Sequence, residues 1–554
     1  DYMDRNAFTT YWNTNVQPLL TAAKPYLGNS LKYVYTDSWE VGGVNWTPSF
    51  RQAFMADHGY DPVPYLPIVT GRIETSRETS DRFLNDFRRT IGNLILRNHY
   101  LLFGELAAKN GLGFHPESGG PHGAPVDSLR LLGADTFPQT EFWAQSKTHR
   151  STDLDRFFVK EDSSAAHIYG KTLVAAEGFT DLGPQWEESP AMNLKPTFDQ
   201  AVCAGLNLLV WHQFTSSPAS TGLPGQEYFA GTHFDPKVTW FRDGKSFFDY
   251  MGRVQFMMQQ GLPVSDVLYY YGDQVPNFVQ YKGADPAHVL PGYDYDVVDE
   301  DVLTKGLSVV DHRIRLANGT EYRELVMPPL TNISLPALQA IDRLVQAGAT
   351  VVGEKPTHLT GLPTPTATDA DVRKIADRLW AGCGSDGKGV SKVGAGKIVC
   401  GESARQALKD AEIEPDLTSA GPAPDSDFDY IHRRAGHTEI YFVRNTKPLA
   451  VATVLSFRVH SLAPEVWTPQ TGAIASHGLY QETADGRTNL PVWFAPYGSR
   501  IIVFRRAAGP HVERLDRDGQ EVFPRMEDGA GPFQVDMQNG SMMLRAEQAG
   551  RYAA

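Results

Sequence analysis

Five times between residues 33 and 214 a short apolar run stops abruptly at polar or acidic residues and is set off from the next by a segment of helical period. The runs are Tyr33 to Glu40 (YVYTDSWE), Gly111 to Gly120 (GLGFHPESGG), Ala134 to Trp143 (ADTFPQTEFW), Lys171 to Thr180 (KTLVAAEGFT) and Leu206 to Phe214 (LNLLVWHQF). Apolar stretches this short read as strands buried on both faces. Helical patterns are expected over Asp4 to Ala23, Trp46 to Tyr60, Asp81 to Asn110, Asp153 to Tyr169 and Thr197 to Ala204, the last three closed by glycines that suit a helix C-terminus. The Pro-rich segment Val63 to Arg72 is expected to be a loop. Strand and helix in alternation predict a parallel α/β sheet.

Five strands do not close an eight-stranded barrel. The sheet is either open and doubly wound, or it is the C-terminal part of a (β/α)8 barrel. The immediate entry of Asp1-Tyr2-Met3 into a helix favours the second, with strands 4 to 8 visible within residues 1–260 and the N-terminal strands missing. Tyr33 to Thr36 is then the fourth strand and Leu173 to Ala176 the seventh. The strands at Tyr33 and Leu206 are expected to present unpaired edges. Phe214 to Trp240, with Pro218 and Pro224, is expected to lid the pocket.

After Gly261-Leu262-Pro263 the pattern restarts. Val264 to Tyr271, Glu324 to Pro328 and Thr350 to Gly353 read as strands and Leu335 to Ala347 as a helix, which predicts a flavodoxin-like α/β domain over 261–425. Its turns carry no GxGxxG, so no dinucleotide site is expected. From Phe428 the period becomes two, predicting a β-sandwich over 426–510. Residues 511–554, with Asp518-Gly519 and Asn539-Gly540 turns, read as the start of a further β-rich region.

Composition narrows the function classes. A formal charge of −14 argues against nucleic acid and anionic membranes as partners, and no apolar run is long enough to span a bilayer. Three cysteines exclude a disulfide framework and a Cys-rich zinc site; Cys383 and Cys400 are read as buried free thiols, with pairing as the alternative. Aromatic residues at 11% suit sugar-stacking pockets, although large cores would use them too.

In a parallel barrel the site lies at the C-terminal strand ends, which would bring Glu40, Glu117, Glu141, Glu177 and His212 into one pocket. Two carboxylates across an aromatic cleft can split a glycosidic bond, one protonating the leaving oxygen while the other activates water or attacks carbon. Each residue also has a plainer reading. Asp37 could cap a helix, Glu117 could anchor the turn after Pro116, and His212 could be a satisfied core histidine. Glu141, beside Phe142 and Trp143, and Glu177, on a strand buried on both faces, are hard to explain structurally. Glu40 could be a solvated loop acid, whereas burial beside Trp39 would favour its protonated form and suit an acid.

These residues resemble glycoside hydrolase family 106, the α-L-rhamnosidases. The likeness runs through DSWE (37–40), RQAFMADHGYDPVPYLP (51–67), HPESGGP (115–121), EFW (141–143), AAHIYGKTLVAAEGFT (165–180), LVWHQF (209–214) and VWTPQTG (466–472). The resemblance implies a catalytic (β/α)8 barrel with accessory domains, a bound calcium, inversion at the anomeric carbon, and Glu40 and Glu177 as the catalytic pair. Family members are usually longer at the N-terminus. Calcium ligands leave no spacing signature, and Glu117 and Glu141 are candidates on charge alone. Asp37, Trp39, Glu117, Glu141, Trp143 and His212 are expected to bind substrate. Glu40 is expected to be the acid and Glu177 the base, with carboxyl groups roughly 6.5–9.5 Å apart, against about 5 Å for retention. The expected substrate is a rhamnosylated glycan, and a periplasmic or secreted location is favoured. A retaining β-galactosidase-like enzyme and a non-catalytic carbohydrate-binding protein are the alternatives.

Overall fold

A computed structural model describes residues 1–554 except 41–42, 120–123, 145–156, 182–188, 232, 422, 527–532 and 539–540. The expected helix start at Asp153 and the Asn539-Gly540 turn lie outside the described residues.

All five expected strands form: β1 (Tyr33–Thr36), β2 (Gly113–Pro116), β3 (Gln139–Trp143), β4 (Ala175–Thr180) and β5 (Leu208–Trp211). They are parallel but fall into two arrays, β1–β2 and β3–β4–β5. Between the arrays Thr136 stands in for ladder bonds, donating its backbone N–H to Phe114 O and accepting from Phe114 N–H on Oγ1, each at 2.9 Å. Among the described residues β1 pairs only with β2 and β5 only with β4, so both expected edges are unpaired.

The intervening helices are α1 (Arg5–Tyr11), α2 (Gln17–Ala22), α3 (Phe50–His58), α4 (Arg77–Ile95), α5 (Leu101–Lys109), α6 (Ser128–Ala134), α7 (Val159–Ile168), α8 (Lys195–Ala204) and α9 (Lys245–Met258). Ser76 caps α4, accepting from Thr79 N–H at 3.0 Å, and a π turn at Leu96–Tyr100 joins α4 to α5. Phe83, Phe87, Ile91 and Leu94 recur at helical spacing and bury the inner face of α4. The expected loop at 63–72 is instead a 3-10 helix, Val63–Thr70. Pro64 lies in its first turn, where the missing N–H has no intrahelical partner to lose.

The next section starts with β6 (Leu262–Pro263), β7 (Val267–Tyr270) and β8 (Tyr295–Val298), and a small antiparallel sheet, β9 (Leu307–Val310), β10 (Arg313–Leu316) and β11 (Glu321–Tyr322). It continues with β12 (Glu324–Val326), β13 (Thr350–Val352), β14 (Gly389–Val393) and β15 (Gly396–Cys400). The larger sheet has the order β14-β15-β13-β12-β7-β8, parallel except for β14.

Two antiparallel sheets follow. One contains 417–419, 451–457, 488–494 and 481–482; the other contains 473–476, 462–468, 499–507, 438–445 and 428–435, with β6 added at its edge against Arg433 and Arg434. The Asp518-Gly519 turn joins the hairpin strands 515–517 and 520–523.

Packing runs across these sections. Leu129, Leu132, Ala165 and Ile168 of α6 and α7 share a hydrophobic cluster with β7, β8 and β12. Phe198 and Val202 of α8 and Val254 of α9 share another with Ile431, Ile440, Phe442 and Val503. Lys160 and His167 of α7 face the buried Asp296 on β8, His167 Nδ1 at 2.9 Å and Lys160 Nζ at 3.4 Å.

Cys383 and Cys400 form a disulfide, which corrects the reading of two free thiols. Their Cα atoms are 6.2 Å apart, within bridging range. The turn after residue 380 folds back beside β15, a proximity that a separation of 17 residues does not reveal. Cys203 is buried and free. Among the described residues no helix is long and apolar enough to cross a membrane.

Candidate active site

β1 and β2 run in register, Tyr35 opposite His115 and Thr36 opposite Pro116. Asp37 and Glu117 therefore leave the two C-terminal ends side by side, and Glu117 N–H donates to Thr36 O at 3.0 Å. On the second array Glu141 lies directly opposite Glu177. Register partners on parallel strands project to the same face, so the two arrays each supply a pair of acids.

The arrays converge. Carboxylate oxygens of Asp37, Glu117 and Glu177 all lie within 4.8 Å of one another. Gln139 of β3 spans the gap, its Nε2 donating to Tyr35 OH at 3.4 Å and to Glu117 Oε2 at 3.5 Å. Glu117 has no solvent exposure, and its Oε1 has no hydrogen-bond partner. Burial, reinforced by the negative charges of Glu177, Glu141 and Asp37, pushes its carboxyl well above the usual range. Tyr35 is shifted up as well, by burial first and then by Glu117, Asp37 and Glu177. Its hydroxyl donates to Asp37 Oδ1 at 3.3 Å.

Glu177 sits three residues before the end of β4, not at its tip. Beyond it the β3–β4 register slips: Phe142 faces Gly178 while Trp143 faces Thr180, leaving Phe179 as an extra residue with φ of +66°. This bulge turns Thr180 back so that its hydroxyl donates to Glu177 Oε1. Gly178 has no room for a side chain, since a Cβ there would lie 2.3 Å from Leu209 Cδ1 and 2.6 Å from Phe142 Cζ. His212 N–H continues the ladder to Gly178 O at 3.0 Å, and its ring Nδ1 lies 3.8 Å from Glu177 Oε1.

The other expected residues are placed as follows. Glu141 accepts from Trp143 Nε1 at 3.0 Å, with both side chains buried. Trp39 is buried away from the acids, its ring packed against Tyr2, His99 and Tyr100. Glu40 is exposed and accepts from Ser38 Oγ at 2.8 Å. The dry surroundings expected for Glu40 beside Trp39 are thus absent. Of the two calcium candidates, Glu117 is in the three-carboxylate cluster, whereas Glu141 stands next to it on β3.

Sequence reasoning did not single out Tyr35, Gln139, Thr180 or Tyr228. Tyr228, exposed on the segment after β5, meets the His212 ring edge-on at a centroid distance of 6.1 Å. The position of Tyr35 two residues before Asp37 on an alternating strand was a usable signal; nothing local marks Tyr228.

Carboxylates delivered by separate parallel strands to one half-dry place are the working parts of glycosidases, and comparison with known proteins puts the chain in a family of O-glycoside hydrolases. Residues 1–481 match the α-L-rhamnosidase family, glycoside hydrolase family 106, and the chain belongs to that family. It is similar to a rhamnosidase from Novosphingobium sp. PP1Y, at 28% identity and a TM-score of 0.82, over 99% of this chain and 52% of that one. It is 35% identical over 514 residues to a Formosa agariphila protein provisionally named a beta-glucuronidase, over 92% of this chain and 41% of the relative. The chain thus spans about half the length of these relatives or less. A β-galactosidase from Halorubrum lacusprofundi shares the fold alone, at 12% identity and a TM-score of 0.54 over 90% of this chain and 83% of that one.

Proposed function

We propose that this chain carries the acid residues of an exo-acting, inverting α-L-rhamnosidase that removes terminal rhamnose from plant or microbial glycans. The observation that carries the reading is the convergence of Asp37, Glu117 and Glu177 from two parallel arrays within 4.8 Å, in a chain of this family. In this reading β1–β2 and β3–β4–β5 are the fourth to eighth strands of a (β/α)8 barrel. Residues 261–425, 426–510 and 511–554 are accessory regions of flavodoxin-like, β-sandwich and further β character.

Glu177 is the base. Thr180 holds its carboxylate from the bulged side with His212 standing nearby, leaving it to take a proton from a water attacking the anomeric carbon. Glu40, at the exposed rim, is the acid that protonates the departing oxygen; a bound glycan would exclude the water that now surrounds it. Glu141 and Trp143, tied to each other, and Asp37 orient the sugar.

A calcium ion fits the donor set. Oxygens bound to calcium at about 2.3–2.6 Å lie up to roughly 5 Å apart, and the unpartnered oxygen of buried Glu117 asks for a cation. Asp37 and Glu117 would hold the ion, which when bound would orient vicinal sugar hydroxyls. The Cys383–Cys400 disulfide supports an oxidising, exported setting.

The name of the Formosa agariphila relative raises a glucuronide substrate. The four acids here carry more negative charge than one calcium ion would offset, which supports a neutral sugar over a uronate. In the full-length enzyme, Glu177→Ala should abolish turnover of every rhamnoside. Glu40→Ala should cost about 10²–10⁴ in kcat on poor leaving groups and much less on nitrophenyl rhamnoside. The reverse pattern swaps the roles, and wild-type rates in both variants refute the site. NMR of the first-formed sugar separates inversion from the retaining, β-galactosidase-like alternative.

A further inference from the structure

The parallel sheet of β7, β8, β12, β13 and β15 begins in its own interior. The chain leaves β7 for β8 on one side and then returns to β12 on the other, so the strands run 2-1-3-4-5 in space. In open α/β sheets of this order ligands bind outside the carboxyl ends of the strands, where the direction of winding reverses. That point is between β7 and β12. The segments leaving β7, β12 and β13 there form a cleft of about 560 Å³, lined by Gln274, Asn332 and His358 and roofed by α4, which contributes Arg77, Arg82 and Arg88 together with the acids Glu78 and Asp81.

The cleft has a built polar floor. Gln274 Nε2 donates to Asn332 Oδ1 at 3.4 Å, Asn332 Nδ2 to Thr360 Oγ1 at 3.1 Å, and Thr360 Oγ1 to Asp273 Oδ1 at 2.8 Å. Its cations are unevenly satisfied. Arg77 has Asp81 at 3.7 Å. Arg82, with a side chain 9% exposed, spends its terminal nitrogens on Glu78 and Asp369 at 2.6–3.1 Å, and its Nε is closed off from solvent, so it is committed to the protein. Arg88 is exposed and, among the described residues, has no hydrogen bond or ion pair. An uncommitted guanidinium over a floor of amides and hydroxyls suits an oxyanion carried on a polyol. The turn after β7, Gly272-Asp273-Gln274, lacks the glycine pattern that cradles a dinucleotide.

We propose that this cleft is a non-catalytic binding site for an acidic saccharide, with a uronate or sulfate group on Arg88 and sugar hydroxyls on Gln274 and Asn332. The active-site acids outweigh one calcium ion and disfavour such a group, so the two sites take different parts of a glycan. Calorimetry of the 554-residue chain with tri-galacturonate should show saturable binding that weakens with ionic strength. Galactotriose should bind at least about tenfold more weakly. Arg88→Glu, a surface change that leaves the core untouched, should weaken tri-galacturonate binding by about tenfold or more, whereas Glu117→Gln should leave it unchanged. Absence of saturable binding, galactotriose or inorganic sulfate binding as tightly as tri-galacturonate, or an unaltered Arg88→Glu variant would overturn the site. Because none of these measurements reads turnover, their failure is separate from failure of the rhamnosidase reading.

Discussion

Glu117 shows at a single residue what the acid cluster needs. A fully buried carboxyl among three other acids stays charged only when a cation is supplied. Calcium should therefore raise the melting temperature of the wild-type chain, by the equivalent of about 2.7 kcal/mol when present at a hundred times its Kd. Glu117→Gln keeps the shape and should lose most of that shift in differential scanning fluorimetry, while Glu177→Gln should retain it. Loss in both variants would make Glu177 a ligand and displace it as base. The acids were legible in the sequence because an acid on a strand otherwise apolar has little other reason to be there. The direction of Trp39 was not. One residue beyond Ser38 its ring turns into the cluster around His99, where it meets Tyr2 and the π turn between α4 and α5, contacts that local sequence does not register.

At the scale of elements, the bulge in β4 sets where Glu177 points. A methyl at Gly178 would press on Leu209 and on Phe142, which is fully buried and cannot yield without moving β3. Gly178→Ala should destabilise the chain by about 1–3 kcal/mol, measured by denaturant titration. It should also lower kcat more than it raises KM, because the shift falls on the base. The alternation of strand and helix was readable from periodicity, and each of the five strands lies within its expected run. The register slip was not, since a bulge depends on which residues lie opposite and those are settled by pairing. The Cys383–Cys400 bridge escaped for the same reason: it records a distance in space, while the sequence records only a separation along the chain.

Across the whole molecule, buried ion pairs tie the sections together. Arg458, from the antiparallel sheets, donates to Asp266 at 2.9 and 3.1 Å and lies 3.6 Å from Asp416. Asp416 in turn accepts from His432 Nδ1 at 2.8 Å, and the other ring nitrogen meets Glu439, also at 2.8 Å. Burial opposes the charge on His432, but Asp416 and Glu439 outweigh it and raise its pKa. A raised folded-state value means that this contribution is full below about pH 6.5, the unfolded value, and fades as pH climbs through the folded one. His432→Asn should therefore lower the melting temperature most in mildly acidic buffer, and the gap from wild type should narrow as pH rises; a gap that widens would contradict the assignment. The hydrophobic clusters cross the same seams, binding α6 and α7 to β7 and β8, and α8 and α9 to the strands near residues 431 and 503. That continuity has a consequence for descent. A recombination joint near residue 260 would leave each parent fragment with half of a complementary surface, so these sections are poor material for shuffling and are bound to drift as one lineage.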